Sequence, residues 1–171
     1  MSVVSADIVE ATWRHVGALE PRAARTLMEQ AAERQPALLA YVMAAIEESS
    51  GAAQGLAVYL YYVILEMFER AAGAPLEPVS MARVDHHRER NITLLDRLAP
   101  AEERFWERAA GVESSAQPFV VRYVVEALFE EEDSDEPARP SAEETGLLYL
   151  ILKTVVDVLD EALTAAQGDA T

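Results

Sequence analysis

The run QPALLAYVMAAIEE (residues 35–48) returns as QPFVVRYVVEALFE (residues 117–130). Six of the fourteen positions are identical, where unrelated sequence would give about one. The match decides a doubtful assignment. Val120, Val121, Val124 and Val125 are β-branched and by themselves suit a strand. The earlier copy, LLAYVMAAIEE, has the apolar spacing of a helix. Two copies of one segment share one conformation, so residues 117–130 are predicted to be helical.

The repetition continues on both sides. Downstream, GLAVYLYYVILEMFERA (residues 55–71) returns as GLLYLILKTVVDVLDEA (residues 146–162), mostly in character: Glu66 meets Asp157, Phe68 meets Leu159 and Glu69 meets Asp160. Upstream, LEPRAARTLMEQAA (residues 19–32) aligns more loosely with LAPAEERFWERAAG (residues 98–111). The offsets are 79, 82 and 91, and they grow only where loops fall, as insertions in surface loops do. Pro21, Pro36, Pro100 and Pro118 each open a helical pattern, a position where a fixed φ and a missing N–H cost nothing. Ser80 and Ser141 read as N-caps, and Ser141 with Glu144 as a capping box.

The predicted fold is therefore all-α, with about eight helices at 5–18, 21–33, 36–48, 53–72, 80–98, 100–111, 117–131 and 141–166. They form two similar four-helix halves, about 5–72 and 80–166, packed as one pseudo-twofold domain over residues 1–171. Residues 72–79, with one glycine and two prolines, join the halves. A short stack of helical hairpins, as in HEAT-like repeats, is the alternative architecture. The fourth helix of each half has the widest apolar face. In the first, Tyr59, Tyr62, Glu66 and Glu69 form the opposite, outward stripe. In the second, Leu147, Ile151, Thr154, Val155 and Val158 point inward while Lys153, Asp157 and Asp160 point outward. These two helices are expected to meet at the pseudo-twofold axis, as in a fused dimer. Trp13 and Trp106 sit in apolar rows and are expected in the core. Residues 165–171 are expected to fray.

Composition narrows the function. The net charge is −16, with a single lysine, Lys153, beside thirteen arginines. Phosphate contact needs a basic face, so nucleic acid and anionic membranes are poor partners. A protein partner, basic or self-associating, is compatible with this charge. The acidic stretch at 132–140 reads as a solvated connector or a docking site for such a partner. There is no cysteine, which removes disulfide, zinc-thiolate and thiol chemistry. The longest uncharged apolar run, residues 55–65, falls short of a membrane span. No signal-peptide pattern opens the chain, and a cytoplasmic location is expected. Alanine-rich, arginine-over-lysine usage suits a GC-rich bacterial genome.

The candidate chemistry is acidic. Glu66 and Glu69 form an ExxE pair, and Asp157 and Asp160, followed by Glu161, form DxxDE at the matching place. Carboxylates three apart on a helix point the same way and can share a hard cation such as Mg²⁺. In VDHHRERN (residues 84–91), His86 and Glu89 are the pair spaced to share an ion, while His87 reads as a hydrogen-bonded boundary residue. By the repeat offset His15 falls near Leu94, away from that cluster. Tyr59, Tyr61 and Tyr62 point in different directions around one helix, so at least one should reach a boundary. No GxSxG elbow or glycine-rich phosphate loop occurs. Three functions follow as expectations. The first is a non-catalytic helical interaction or regulatory protein, with no cofactor. The second is a Mg²⁺-dependent phosphohydrolase using the paired acids. The third is a small-ligand binder with a pocket between the halves.

Overall fold

The computed structural model describes residues 2–98, 115–129 and 139–168, and every regular element within them is an α-helix. In chain order these are α1 (Ala6–Gly17), α2 (Pro21–Arg34), α3 (Pro36–Ala45), α4 (Gly51–Ala72), α5 (Met81–Leu98), α6 (Pro118–Phe129) and α7 (Ala142–Gly168). The valine-rich segment at 118–129 is helical, as predicted. The helix predicted at 100–111, Trp106 and most of the acidic stretch lie outside the described residues.

Local chemistry sets the boundaries. Proline opens α2, α3 and α6. Four serines cap helix starts by accepting a backbone N–H three residues on. Ser5 takes that of Ile8 (3.3 Å), Ser50 that of Ala53 (3.2 Å), Ser80 that of Arg83 (3.3 Å) and Ser141 that of Glu144 (3.1 Å). Glu144 completes the expected capping box by accepting the Ser141 N–H at 2.9 Å. α3 stops at Ala45, earlier than predicted, because the Gln54 amide reaches back to the carbonyls of Ile46, Glu47 and Ser49 (3.1, 3.2 and 3.2 Å). Side-chain donation there replaces the next helical turn. Gly73, at φ +73°, ends α4 in the left-handed conformation that favours glycine. α7 continues to Gly168, through part of the segment expected to fray.

α4 and α7 form the most extensive helix pair, and the other helices pack around them. α1, α2 and α3 lie on α4, and α5 and α6 lie on α7. Every side chain from Leu60 to Leu65 is buried, which a one-faced amphipathic helix cannot achieve. The outward stripe expected on α4 is thus covered: Tyr62 and Glu69 are buried and Glu66 is 17% exposed. On α7 the inward set holds at Ile151, Thr154, Val155 and Val158, but Leu147 is exposed and Leu148 takes its place. α4 is the one described helix long and apolar enough to cross a bilayer, and 56% of that window is buried inside the protein. Trp13, expected in the core, is 41% exposed with the Arg14 guanidinium 5.3 Å from its ring centre. α1 buries Val9, Thr12 and Val16 instead, a stripe that leaves position 13 outside.

Candidate functional site

The acid pairs on α4 and α7 are both embedded in hydrogen bonds. Arg34, the last residue of α2, holds the first pair. Its Nε donates to Glu69 Oε1 (3.1 Å), and its Nη2 lies 2.8 Å from Glu69 Oε2 and 3.3 Å from Glu66 Oε1. This is the fork geometry that suits arginine to carboxylates. Arg70 stands 4.0 Å from the other oxygen of Glu66.

The second pair is held mainly by amides. Lys153 Nζ lies 2.5 Å from Asp157 Oδ1, and Asn91 Nδ2 donates to Asp157 Oδ2 (2.9 Å) and to Thr154 Oγ1 (3.1 Å). Gln117 Nε2 donates to Asp160 Oδ1 at 2.6 Å. Asn91, Gln117 and Thr154 are buried, so their partners satisfy groups that water cannot reach. Tyr41 of α3 joins the same network through a hydrogen bond with Thr154, while burial pushes its phenol up.

Next to these lies the histidine cluster. His87 Nε2 is 2.7 Å from Glu161 Oε2, and Arg83 is 3.3 Å from Glu161 Oε1. The His87 hydrogen bond, with Arg83 nearby, holds the Glu161 carboxyl below its usual range. His87 is thus the boundary residue the sequence suggested. His86 stacks edge-on against His87, with ring centres 5.5 Å apart. Among the described residues, no three His, Asp or Glu side chains are grouped to hold a metal ion.

Among the described residues, α5, α6 and α7 line a half-open groove of about 1340 Å³. Its walls mix apolar and polar groups: Leu94, Leu95, Val121 and Leu150 beside His87, Arg90, Asn91, Lys153, Asp157 and Asp160. Tyr149 also lines it, its phenol pushed up to about 12 by burial. α5 leaves one wall at Leu98 and the chain returns to the other at Ser115; the residues that join them lie outside the described ones. The described lining residues fall between His86 and Ala165. Arg34, Asn91 and Gln117 were missed as site residues, because partners 32 to 66 positions away leave no local pattern. Comparison with protein-family models, curated proteins and solved structures finds no match.

Proposed function

We propose that this chain is a non-catalytic helical interaction protein of the cytoplasm, acting through a protein partner. The observation that carries this reading is the state of the four candidate carboxylates. Glu66, Glu69, Asp157 and Asp160 each accept from an arginine, lysine or side-chain amide of the protein itself. A Mg²⁺ ion would have to displace those donors, whereas a resident metal site presents oxygens ready for it. The test is thermal denaturation with MgCl₂ or MnCl₂, each with and without nucleoside triphosphates. An unchanged midpoint is expected. A metal-dependent rise with release of phosphate, both lost in Asp157→Asn, would establish the phosphohydrolase reading instead.

The groove favours a second reading, binding of a small amphiphilic ligand between α5, α6 and α7. Its size and mixed lining suit such a guest. Anilinonaphthalene sulfonate fluorescence should rise with the native protein and fall with Leu94→Glu, since Leu94 is both exposed and on the groove wall. Equal fluorescence in both proteins would rule the groove out as the binding place.

The architecture behind either role, on this reading, is a fused pair of halves, about 5–72 and 80–166. The helix packing supports it. α1 lies on α4 as α5 lies on α7, and α3 lies on α4 as α6 lies on α7. Crossed pairs correspond too: α3 touches α5 as α6 touches α1, and α3 touches α7 as α6 touches α4. The α4–α7 pair maps onto itself, as an axis between them requires. The equivalent caps Ser50 and Ser141 both donate their backbone N–H to Glu144, at 2.7 and 2.9 Å. An experimental structure in which the halves do not superpose by a rotation near 180° would end this reading.

A further inference from the structure

We infer that Gln35 and Gln117 are one clasp used twice, and that the surface between the halves is an interaction surface whose fitting partner is an equivalent half, whichever comes first in the chain. The inference rests on the two-half reading and extends it.

Each glutamine is completely or almost completely buried and directly precedes the proline that opens α3 or α6. Gln35 Oε1 accepts the Val79 N–H at 3.0 Å, and its Nε2 donates to the carbonyls of Leu76 (3.2 Å) and Glu77 (3.0 Å). Gln117 Oε1 accepts the Val4 N–H at 2.8 Å, and its Nε2 donates to the Ser2 carbonyl at 2.8 Å. One side-chain amide supplies one acceptor and two donors. Gln35 spends that whole set on the backbone of a non-helical segment, whereas Gln117 spends one donor on Asp160 and the rest on backbone. In both, the buried valine N–H gains a partner that water cannot supply.

The clasped segments match as well. Val4 and Val79 each directly precede the serine that caps the next helix, and the pattern Val-Ser-x-x-x-Val-acid spans residues 4–10 and 79–85. This sets the offset of α1 to α5 at 75, the smallest in a series rising through 79, 82 and 91. It also places His15 opposite Arg90 rather than near Leu94. The arrangement is reciprocal: Gln35 of the first half holds the lead-in of the second, and Gln117 of the second holds the lead-in of the first.

The ends close the ring. Gln167 Nε2 donates to Ser2 Oγ at 2.9 Å, so the end of α7 lies beside the lead-in to α1. α4 ends at Ala72 and runs into the clasped residues 76–79 through the link that starts at Gly73. The step from α7 to Ser2, whose counterpart is Glu77, thus needs only a link like the one at 73–76. Reversing the order of the halves preserves every clasp and every helix pair.

The test is a circular permutant of the whole chain: residues 74–168, a Gly/Ser link of about the length of residues 73–76, then residues 2–73. It should elute as the native chain does, keep the native far-UV circular dichroism and melt within about 5 °C of it. The Val4 and Val79 amides should stay protected from hydrogen exchange in both proteins. A permutant that does not fold, or that loses either protection, overturns the inference. In the native order, Gln35→Leu should speed exchange at Val79 at least tenfold and leave Val4 alone; Gln117→Leu should do the reverse. Protection that survives either substitution refutes the clasp. A failed permutant whose parent halves superpose sinks interchangeability alone; halves that do not superpose sink the two-half reading beneath it.

Discussion

Tyr61 buries its whole side chain, and no described residue offers its hydroxyl a hydrogen bond. Burial drives that phenol's pKa far above its ordinary value, so it stays neutral. An unsatisfied buried hydroxyl carries a desolvation cost of about 1–3 kcal/mol. Tyr61→Phe removes that cost and keeps the ring, which sits 5.2 Å from Tyr62. It should raise stability by about 1 kcal/mol, read as a thermal midpoint about 2–4 °C higher. Arg34 presents the opposite case. It serves two carboxylates at once, so Arg34→Met leaves the buried Glu69 without its guanidinium and Glu66 with only Arg70 at 4.0 Å. Breaking a fully buried pair costs about 3–5 kcal/mol; Arg34 is 24% exposed, which reduces the expected loss to about 2 kcal/mol. Urea denaturation of Arg34→Met should cost clearly less in a Glu66→Gln/Glu69→Gln background, and equal losses in both would deny the coupling.

At the scale of elements, the starts of α4 and α7 converge on one carboxylate. Glu144 accepts backbone N–H groups from Ser50 and Ser141, and also the Ser50 hydroxyl at 3.1 Å. Both helices direct the positive ends of their dipoles toward it. The Ser50 backbone bond, followed by that of Ser141, holds the Glu144 carboxyl below its usual value. A carboxylate depressed in the folded state stabilises fully above its unfolded pKa, and loses that contribution as pH falls through the folded one. Glu144→Gln should therefore unfold at lower urea than the parent at pH 7, and the gap should close on acidification below the ordinary carboxylate range. A gap constant from pH 7 to pH 3 would show that the charge contributes nothing.

The whole molecule is organised around α4 and α7, on which the other described helices pack. Ile64, fully buried on α4, has no route to relax into solvent. Ile64→Ala should cost about 2–5 kcal/mol. On the reciprocal-clasp reading neither half keeps its first helix anchored without the other, so unfolding should be one cooperative event. Circular dichroism at 222 nm and tryptophan fluorescence should give coincident urea transitions. Two separated transitions would mean that the halves stand alone.

The element types were legible in the sequence because they depend on neighbours: apolar spacing, prolines at first turns, serine caps and the Ser141–Glu144 box. The helical state of 118–129 needed only its earlier copy. Even the position of His87, on the margin of an apolar face, could be read from spacing. What surrounds a helix could not. Tyr62 and Glu69 fall on the polar side of α4, yet they are buried because other helices pack over that side too. Trp13 looks like core, yet α1 turns it outward. The candidate acids were visible as pairs, but whether they face a metal or an arginine depends on Arg34, Asn91 and Gln117, far away in the chain. Sequence alone thus determined which segments form helices and, to within a residue or two, where they start. Only the tertiary structure decided which polar groups are satisfied internally, because hydrogen bonds between distant segments follow packing and leave no periodic trace along the chain.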